Sequence, residues 1–149
     1  MIPAVLMAIW GWPSSLLHEK NLRVFDENSF DEWVDLAEAP ALRASLRLCT
    51  LTPADGIQTY SANWRSEYQR NFTQKNLKFS GCSDWERLIL RGSSEVGILA
   101  ASYQSGKRKE LEDKGYRIHG SPGDQWSDLM GLASAKQSFK LPNLMDYIP

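Results

Sequence analysis

The chain has 149 residues, 42% of them hydrophobic, and a formal net charge of -1, which is the size and composition of one globular domain. A charge this close to zero gives no electrostatic reason to expect binding to nucleic acid or to an anionic membrane. No run of about 18 apolar residues occurs, so no segment is expected to span a bilayer.

Predicted helices and strands alternate along the chain. Strands are predicted over four segments: residues 57–62, 85–90, 116–119 and 138–141. Helices are predicted to begin at five positions: Ser29, Pro40, Ser66, Ser105 and Asp124. Gly81 and Gly115 follow two of these helices as C-terminal stops. This alternation predicts an α/β fold in which one layer of parallel strands lies between helices.

Two local details qualify the pattern. The helix that begins at Ser66, with Gln69 completing a capping box, is predicted to turn Tyr68, Phe72 and Leu77 toward the core. The strand over residues 57–62 is more polar than a central parallel strand that is buried on both faces, which is a local inconsistency.

The glycine-rich stretch GSPGDQWSDL, residues 120–129, follows the third predicted strand. It places Asp124 and Asp128 four residues apart at the carboxyl end of a strand, the edge at which open parallel sheets bind ligands. Two such carboxylates suit Mg²⁺. The alternative is that Asp124 caps the helix and Asp128 faces solvent. His119, at the end of the same strand, is either a polar group of a pocket or a structural histidine.

The compartment stays open on sequence alone. Residues 1–12 are uncharged and largely apolar but lack the basic start and cleavage site of a signal peptide, so an N-terminal extension is the preferred interpretation. Cys49 and Cys82 are compatible with one disulfide or with two buried thiols. Asn71-Phe72-Thr73 is a glycosylation sequon, which is usable only in the secretory route.

Seven segments carry a family resemblance: FDEWV (30–34), APAL (39–42), RSEYQRNFT (65–73), WERLILRGSS (85–94), GYRIHG (115–120), GDQWSDL (123–129) and FKLPN (139–143). Together they resemble the plant acid phosphatases of the haloacid-dehalogenase superfamily and their relatives, the vegetative storage proteins. The resemblance predicts a haloacid-dehalogenase-like domain over residues 25–149, after an extension, residues 1–24, that does not resemble the family.

The resemblance implies a specific chemistry. Such phosphatases use an aspartate nucleophile and an aspartate acid/base in a D-x-D-x-T turn after the first strand. A threonine or serine after the second strand binds the phosphoryl group, a lysine on a later helix offsets charge, and a G-D-x-x-x-D turn holds Mg²⁺. By this resemblance Asp124 is a metal ligand and Asp128 is its partner.

The first of these motifs is missing. No D-x-D occurs in the chain, and the family places that strand upstream of the segment that matches residues 30–42. The sheet is therefore predicted to lack its first strand, as in an N-terminally truncated family member. Asp26 is the nearest candidate nucleophile, although a solvated loop carboxylate is the preferred interpretation of that residue.

Two further motifs are altered. Asn63 stands where the family has the phosphate-binding threonine, and Trp64 replaces the glycine that follows it. Gln104 stands where the family has lysine, so it offers a hydrogen bond to phosphate but no charge. Lys107 could supply that charge only if the helix begins late.

These departures predict an acid-phosphatase-like protein whose catalysis is impaired. The alternatives are a working Mg²⁺-dependent hydrolase of phosphomonoesters, a non-catalytic storage or interaction protein of the same fold, and a chain that folds poorly without one strand. No nucleic acid or membrane is expected as a partner, whereas a homodimer is. The resemblance also implies a vacuolar or secreted location.

Overall fold

A computed structural model describes residues 2–7, 32, 35–36, 41–51 and 55–142, with the backbone alone described at residues 2–7 and 63–64. The strands are β1 (Ile2–Met7), β2 (Gln58–Ser66), β3 (Arg87–Arg91), β4 (Tyr116–Gly123) and β5 (Gln137–Lys140). The helices are α1 (Arg43–Leu51), α2 (Arg70–Phe79), α3 (Ala100–Asp113) and α4 (Trp126–Leu129), with 3₁₀ turns at Glu67–Gln69 and Ser93–Glu95. Within these described ranges, no helix has both the length and the apolar character needed to cross a membrane.

The five strands form one parallel sheet in the order β3-β2-β1-β4-β5. This confirms the predicted α/β fold. The prediction that the sheet lacks its first strand is wrong, because Ile2–Met7 fill the central position between β2 and β4. The apolar sequence of this segment, IPAVLM, is typical of a parallel strand that is covered on both faces.

Helices cover both faces of the sheet, and each face has its own core. The buried residues of the first core, beside α1 and α2, are Cys49, Leu77, Cys82, Leu88 and Leu90. The buried residues of the second, beside α3, are Tyr60, Ala62, Leu111 and Ile118. Ile89 packs against the second core although its neighbours Leu88 and Leu90 belong to the first, as the alternation of side chains along a strand requires.

The polar strand is part of the sheet despite its composition. Thr59, Tyr60, Ser61 and Ala62 in β2 are all buried. Threonine is β-branched and serine is small, so both fit a crowded sheet face without the volume of a larger apolar side chain. The local inconsistency in the sequence therefore did not prevent the strand from forming.

Helix ends were predicted better than helix starts. Gly81 and Gly115 adopt φ values of +86° and +87° after α2 and α3, the left-handed conformation that glycine tolerates. Ser66, by contrast, makes no side-chain capping bond, and a 3₁₀ turn intervenes before α2. That turn changes the helical phase, so Tyr68 is 94% exposed and its predicted place in the core is wrong, whereas Leu77 is buried as predicted.

The two cysteines form a disulfide. Cys49 near the end of α1 and Cys82 just after α2 are bonded with a Cα–Cα distance of 5.8 Å, and both are fully buried. This resolves the choice that the sequence left open in favour of one disulfide. The bond joins α1 to the end of α2 inside the first core.

We expect reduction of this disulfide, or the double substitution Cys49→Ala and Cys82→Ala, to destabilise the fold. The bond closes a loop with a sequence separation of 33, for which the loss of unfolded-chain entropy is worth about 3–4 kcal/mol. Urea unfolding with and without reductant measures the difference. An unfolding midpoint that is the same in both conditions would show that the bond contributes nothing to stability.

Candidate functional site

The candidate site lies at the carboxyl edge of the sheet. Asp124 follows β4 directly, and β4 is hydrogen-bonded to β1, which is hydrogen-bonded to β2 on its other side. Met7 at the end of β1 pairs with Ser61, so Asn63 lies two residues further along β2 in the direction of the same edge. Because parallel strands end at one edge, Asp124, Met7 at the end of β1 and the backbone of Asn63 lie at adjacent strand ends. The side chain of Asn63 lies outside the described residues.

Gly123 lets the turn after β4 close tightly. A Cβ atom at this position would lie 2.5 Å from Cβ of Asp128 and 3.0 Å from its Oδ2. The glycine therefore allows the carboxylate of Asp128 in α4 to pack against the end of β4. β4 itself runs through Gly123, four residues beyond the predicted strand end at His119, which is half-buried within it.

The interpretation of Asp124 as a helix cap is wrong. α4 has only four residues, and Gln125 occupies its N-terminal cap position. The backbone N–H of Gln125 donates to Oδ2 of Asp128 at 3.1 Å. Asp128, rather than Asp124, therefore completes the start of this helix, and Asp124 remains in the turn between strand and helix.

Asp128 is held inward by polar neighbours. Gln104 Nε2 donates to its Oδ1 across a long hydrogen bond of 3.4 Å. Burial raises the pKa of Asp128 above its ordinary 3.8, and the N–H of Gln125, the charge of Arg108 and hydrogen bonds with Asp124 and Gln104 only partly offset that effect. The carboxyl group is thus easier to protonate than an exposed aspartate, which contradicts the interpretation of Asp128 as a solvated side chain.

The structure brings Gln104 into contact with Asp128 but keeps Lys107 away. α3 begins at Ala100, five residues before the predicted start, so Lys107 lies well inside the helix. Its Nζ is 2.7 Å from Glu95 and 2.9 Å from Glu110, and its side chain is 14% exposed. Burial alone would lower the pKa of Lys107, but the hydrogen bonds to these two carboxylates outweigh it and raise the pKa. The charge of Lys107 is therefore already neutralised away from Asp128.

Arg108 is a site residue to which the sequence analysis gave no role. It is fully buried, and its guanidinium donates to the backbone oxygens of Asp128, Met130 and Ala133. A charged donor bound to three carbonyl groups fixes the loop after α4 against α3. The available signal was spacing, because Arg108 lies four residues, about one helical turn, after Gln104, the position at which the family has lysine.

Lys140, at the end of β5, also touches the site. Its Nζ donates to the backbone oxygens of Asp124 and Leu141, both at 2.8 Å, and lies 5.8 Å from the centre of the Trp126 ring. Nothing in the local sequence distinguished it from a solvated lysine. The contact depends on β5 pairing with β4, which is a tertiary feature.

The described residues fit a divalent cation only in part. Asp124 and Asp128 supply two carboxylates, and Mg²⁺ in proteins is commonly held by one or two carboxylates together with waters and phosphate oxygens. Both carboxylate oxygens of Asp128 already accept hydrogen bonds. Within the described part of the chain, no cluster of three or more His, Cys, Asp or Glu side chains is arranged to hold a metal. Asp26, the candidate nucleophile, lies outside the described residues.

We expect Gly123→Ala to destabilise the protein by about 1–3 kcal/mol, because the added methyl group must displace Asp128 and the strand end. Gly106→Ala is the matched control, since a Cβ there meets no atom within 4 Å. In the interior of α3 that control should stabilise by about 0.5–1 kcal/mol. Urea unfolding of both variants measures the contrast, and equal effects of the two substitutions would contradict the close approach at Gly123.

We expect metal-free protein to lose stability at Asp128 as the pH rises. A pKa raised in the folded state means that the folded chain binds this proton more tightly than the unfolded chain. The protonated Asp128 contributes fully to the free energy of unfolding below pH 3.8. This contribution is lost as the pH rises from 3.8 through the raised pKa of the folded state. Asp128→Asn should therefore be more stable than the wild type at neutral pH but not at pH 3.

The measurement is urea unfolding at both pH values in the presence of a chelator. Asp84→Asn, which removes an exposed carboxylate, controls for the change in net charge. A variant that is less stable than the wild type at neutral pH would mean that the ionised Asp128 is stabilising.

Comparison with known proteins agrees with the geometry. The profile of the haloacid-dehalogenase superfamily, subfamily IIIB (acid phosphatase), matches residues 15–149. Acid phosphatase 1 of Solanum lycopersicum is 45% identical over 131 residues, which are 88% of this chain and 51% of that protein. Vegetative storage protein 2 of Arabidopsis thaliana is 35% identical over 113 residues, which are 76% of this chain and 42% of that protein. The chain thus spans about half the length of these curated relatives.

A solved structure shares the fold. The class C acid phosphatase from Bacillus anthracis with tungstate bound has a TM-score of 0.74 and covers 98% of this chain and 68% of its own. At 21% identity this likeness concerns the fold alone. Because the subfamily profile matches nearly the whole chain, this protein belongs to the acid phosphatase family of the haloacid-dehalogenase superfamily.

Proposed function

We propose that this chain is an acid-phosphatase-family protein whose phosphatase chemistry is impaired and which acts as a non-catalytic storage or interaction protein. The observation that carries the proposal is the sequence that follows β1, Ala8-Ile9-Trp10-Gly11-Trp12. β1 is the central strand, and in this family the nucleophile belongs to the turn after the first strand. None of these side chains carries a carboxylate, a hydroxyl or a thiol. Loss of a covalent nucleophile typically costs on the order of 10⁶ in turnover.

Charge at the site supports the same proposal. A phosphomonoester is an anion, so it must approach Asp124 and Asp128 against electrostatic repulsion. Gln104 touches Asp128 at the place where the family has lysine, and an amide offsets none of that charge. Arg108 cannot substitute, since its guanidinium is engaged with backbone oxygens.

Binding of Mg²⁺ at the turn that contains Asp124 and Asp128 is part of the proposal. Asp124 would be its ligand, with Asp128 behind it, and the ion would supply positive charge toward a phosphate oxygen. The described residues offer no third His, Cys, Asp or Glu ligand beside these two carboxylates, which favours weak binding of the ion. Asn63 and Gln104 are the proposed hydrogen-bond donors to a phosphate group. That the protein takes a phosphomonoester as substrate, and that it forms a homodimer, are also predictions.

We expect the wild type and Asp124→Ala to be indistinguishable from buffer in the hydrolysis of an aryl phosphate at mildly acidic pH with Mg²⁺. The reason is that Asp124 cannot contribute to a reaction that has no nucleophile. Turnover in the wild type that disappears in Asp124→Ala would contradict the proposal. Asp26→Asn would then test whether Asp26 acts as the nucleophile.

A restored variant tests whether the named positions are what is missing. Ala8→Asp and Trp10→Asp introduce the D-x-D spacing directly after β1, and Gln104→Lys returns the charge. We expect turnover to appear in this triple variant and to vanish again when Asp124→Ala is added. Gln137→Lys, which adds a charge on exposed β5, replaces Gln104→Lys in the matched control. A folded triple variant that stays inactive would show that the impairment has another cause.

A further inference from the structure

The hydroxyl of Thr73 is not used by the fold. Thr73 lies on α2 with 0% of its surface exposed, and its Oγ1 has no hydrogen-bond partner. A buried hydroxyl without a partner costs free energy that a methyl group of the same size would not cost. Ser45 and Ser127 share this feature, so burial alone does not single out Thr73. Its position in the sequence does.

Thr73 is the third residue of Asn71-Phe72-Thr73, the only Asn-x-Ser/Thr sequence in the chain. A sequon requires a hydroxyl at this third position for transfer of an N-linked glycan. Because Thr73 is inaccessible in the folded protein, its hydroxyl can serve this purpose only before α2 packs. A residue that is unfavourable in the folded state thus has a use in the nascent chain.

Asn71 is well placed to carry a glycan after folding. It is exposed in the first turn of α2, and Lys75 and Lys78, four and seven residues further along the same face, are exposed as well. Residues at this spacing share one side of a helix. A glycan at Asn71 would therefore extend into solvent over a charged helix face and displace no core residue.

The disulfide points independently to the same compartment. Cys49 and Cys82 are bonded and fully buried, and disulfides form and persist in oxidising compartments. α2 thus carries the sequon in its first turn and is followed directly by the disulfide. Disulfide formation and N-linked glycosylation both take place in the secretory route.

We propose that Asn71 accepts an N-linked glycan in the endoplasmic reticulum before α2 folds. The donor is an oligosaccharide linked to a lipid pyrophosphate. The side-chain amide nitrogen of Asn71 forms a bond to the anomeric carbon of the first sugar and loses one proton. The bond from that carbon to the pyrophosphate oxygen breaks, and the lipid pyrophosphate leaves.

The test uses the full chain behind a cleavable secretion leader in a eukaryotic host, purified from the secretory pathway. Intact mass and peptide mapping after N-glycosidase treatment show whether Asn71 was modified, because release of the glycan converts its amide to a carboxylate. We expect modification in the wild type and in Thr73→Ser, and none in Asn71→Gln or Thr73→Val. Mapping of the Cys49–Cys82 bond in the same samples verifies the oxidising compartment. An unmodified wild type recovered from that pathway would overturn the proposal, with or without the disulfide.

A measurement of folding stability distinguishes the role of Thr73 in glycosylation from a role in stabilising the fold. Unglycosylated wild type and Thr73→Val are compared by urea unfolding with the disulfide intact. We expect the midpoint of Thr73→Val to equal or exceed that of the wild type, because the valine methyl group needs no hydrogen-bond partner. A lower midpoint would show that the fold uses the hydroxyl and would overturn the argument from Thr73.

Discussion

Backbone pairing of Ile2–Met7 with β2 on one side and β4 on the other holds the sheet together. Without this strand the order β3-β2-β1-β4-β5 would fall into two separate pairs, each with an additional open edge. The same pairing determines which strand ends are neighbours, and so it brings Asp124 to the strand end next to that of β1. The fold and the layout of the candidate site therefore depend on one segment. That segment supplies backbone hydrogen bonds and an apolar sequence, neither of which requires a nucleophile in the next residues.

Two side chains of α3 contact Asp128 in different ways, one through its backbone and one through its carboxylate. Gln104 and Arg108 lie four residues apart on one face of this helix, and both reach Asp128. Arg108 binds backbone oxygens, so its loss would leave buried carbonyl groups without a charged donor. Gln104 binds the carboxylate through a neutral amide, where the family has a lysine. A cation therefore supports the backbone of the loop, whereas the carboxylate of Asp128 receives its side-chain hydrogen bond from a neutral group.

The order of strands and helices after residue 40 was predictable because apolar periodicity and glycine stops are local signals. The start of α3 was not. Ser105 was expected to cap this helix, but it lies inside it, where a Cβ added to Gly131 would come within 2.7 Å of the serine Cβ. The loop at Gly131 thus packs closely against Ser105, which is a tertiary contact that a capping pattern cannot reveal. β1 was missed for a different reason, since a six-residue apolar run near an N-terminus suits an extension as well as a central strand.

The candidate site was predictable in its members but not in its electrostatics. The spacing of Asp124 and Asp128 identified the turn, yet only the structure shows that Asp128 is desolvated and touches Gln104. Removing one partner of a buried ion pair leaves the other charge uncompensated, which is more costly than never having buried the pair. Asp128 can shed that charge by taking up a proton or by sharing a cation with Asp124, and the two compete for the same oxygens. Glutamine in place of lysine at position 104 therefore leaves the two carboxylates in greater need of a positive partner. Under the proposed function, the turn would then keep a pH-dependent affinity for cations without catalysis.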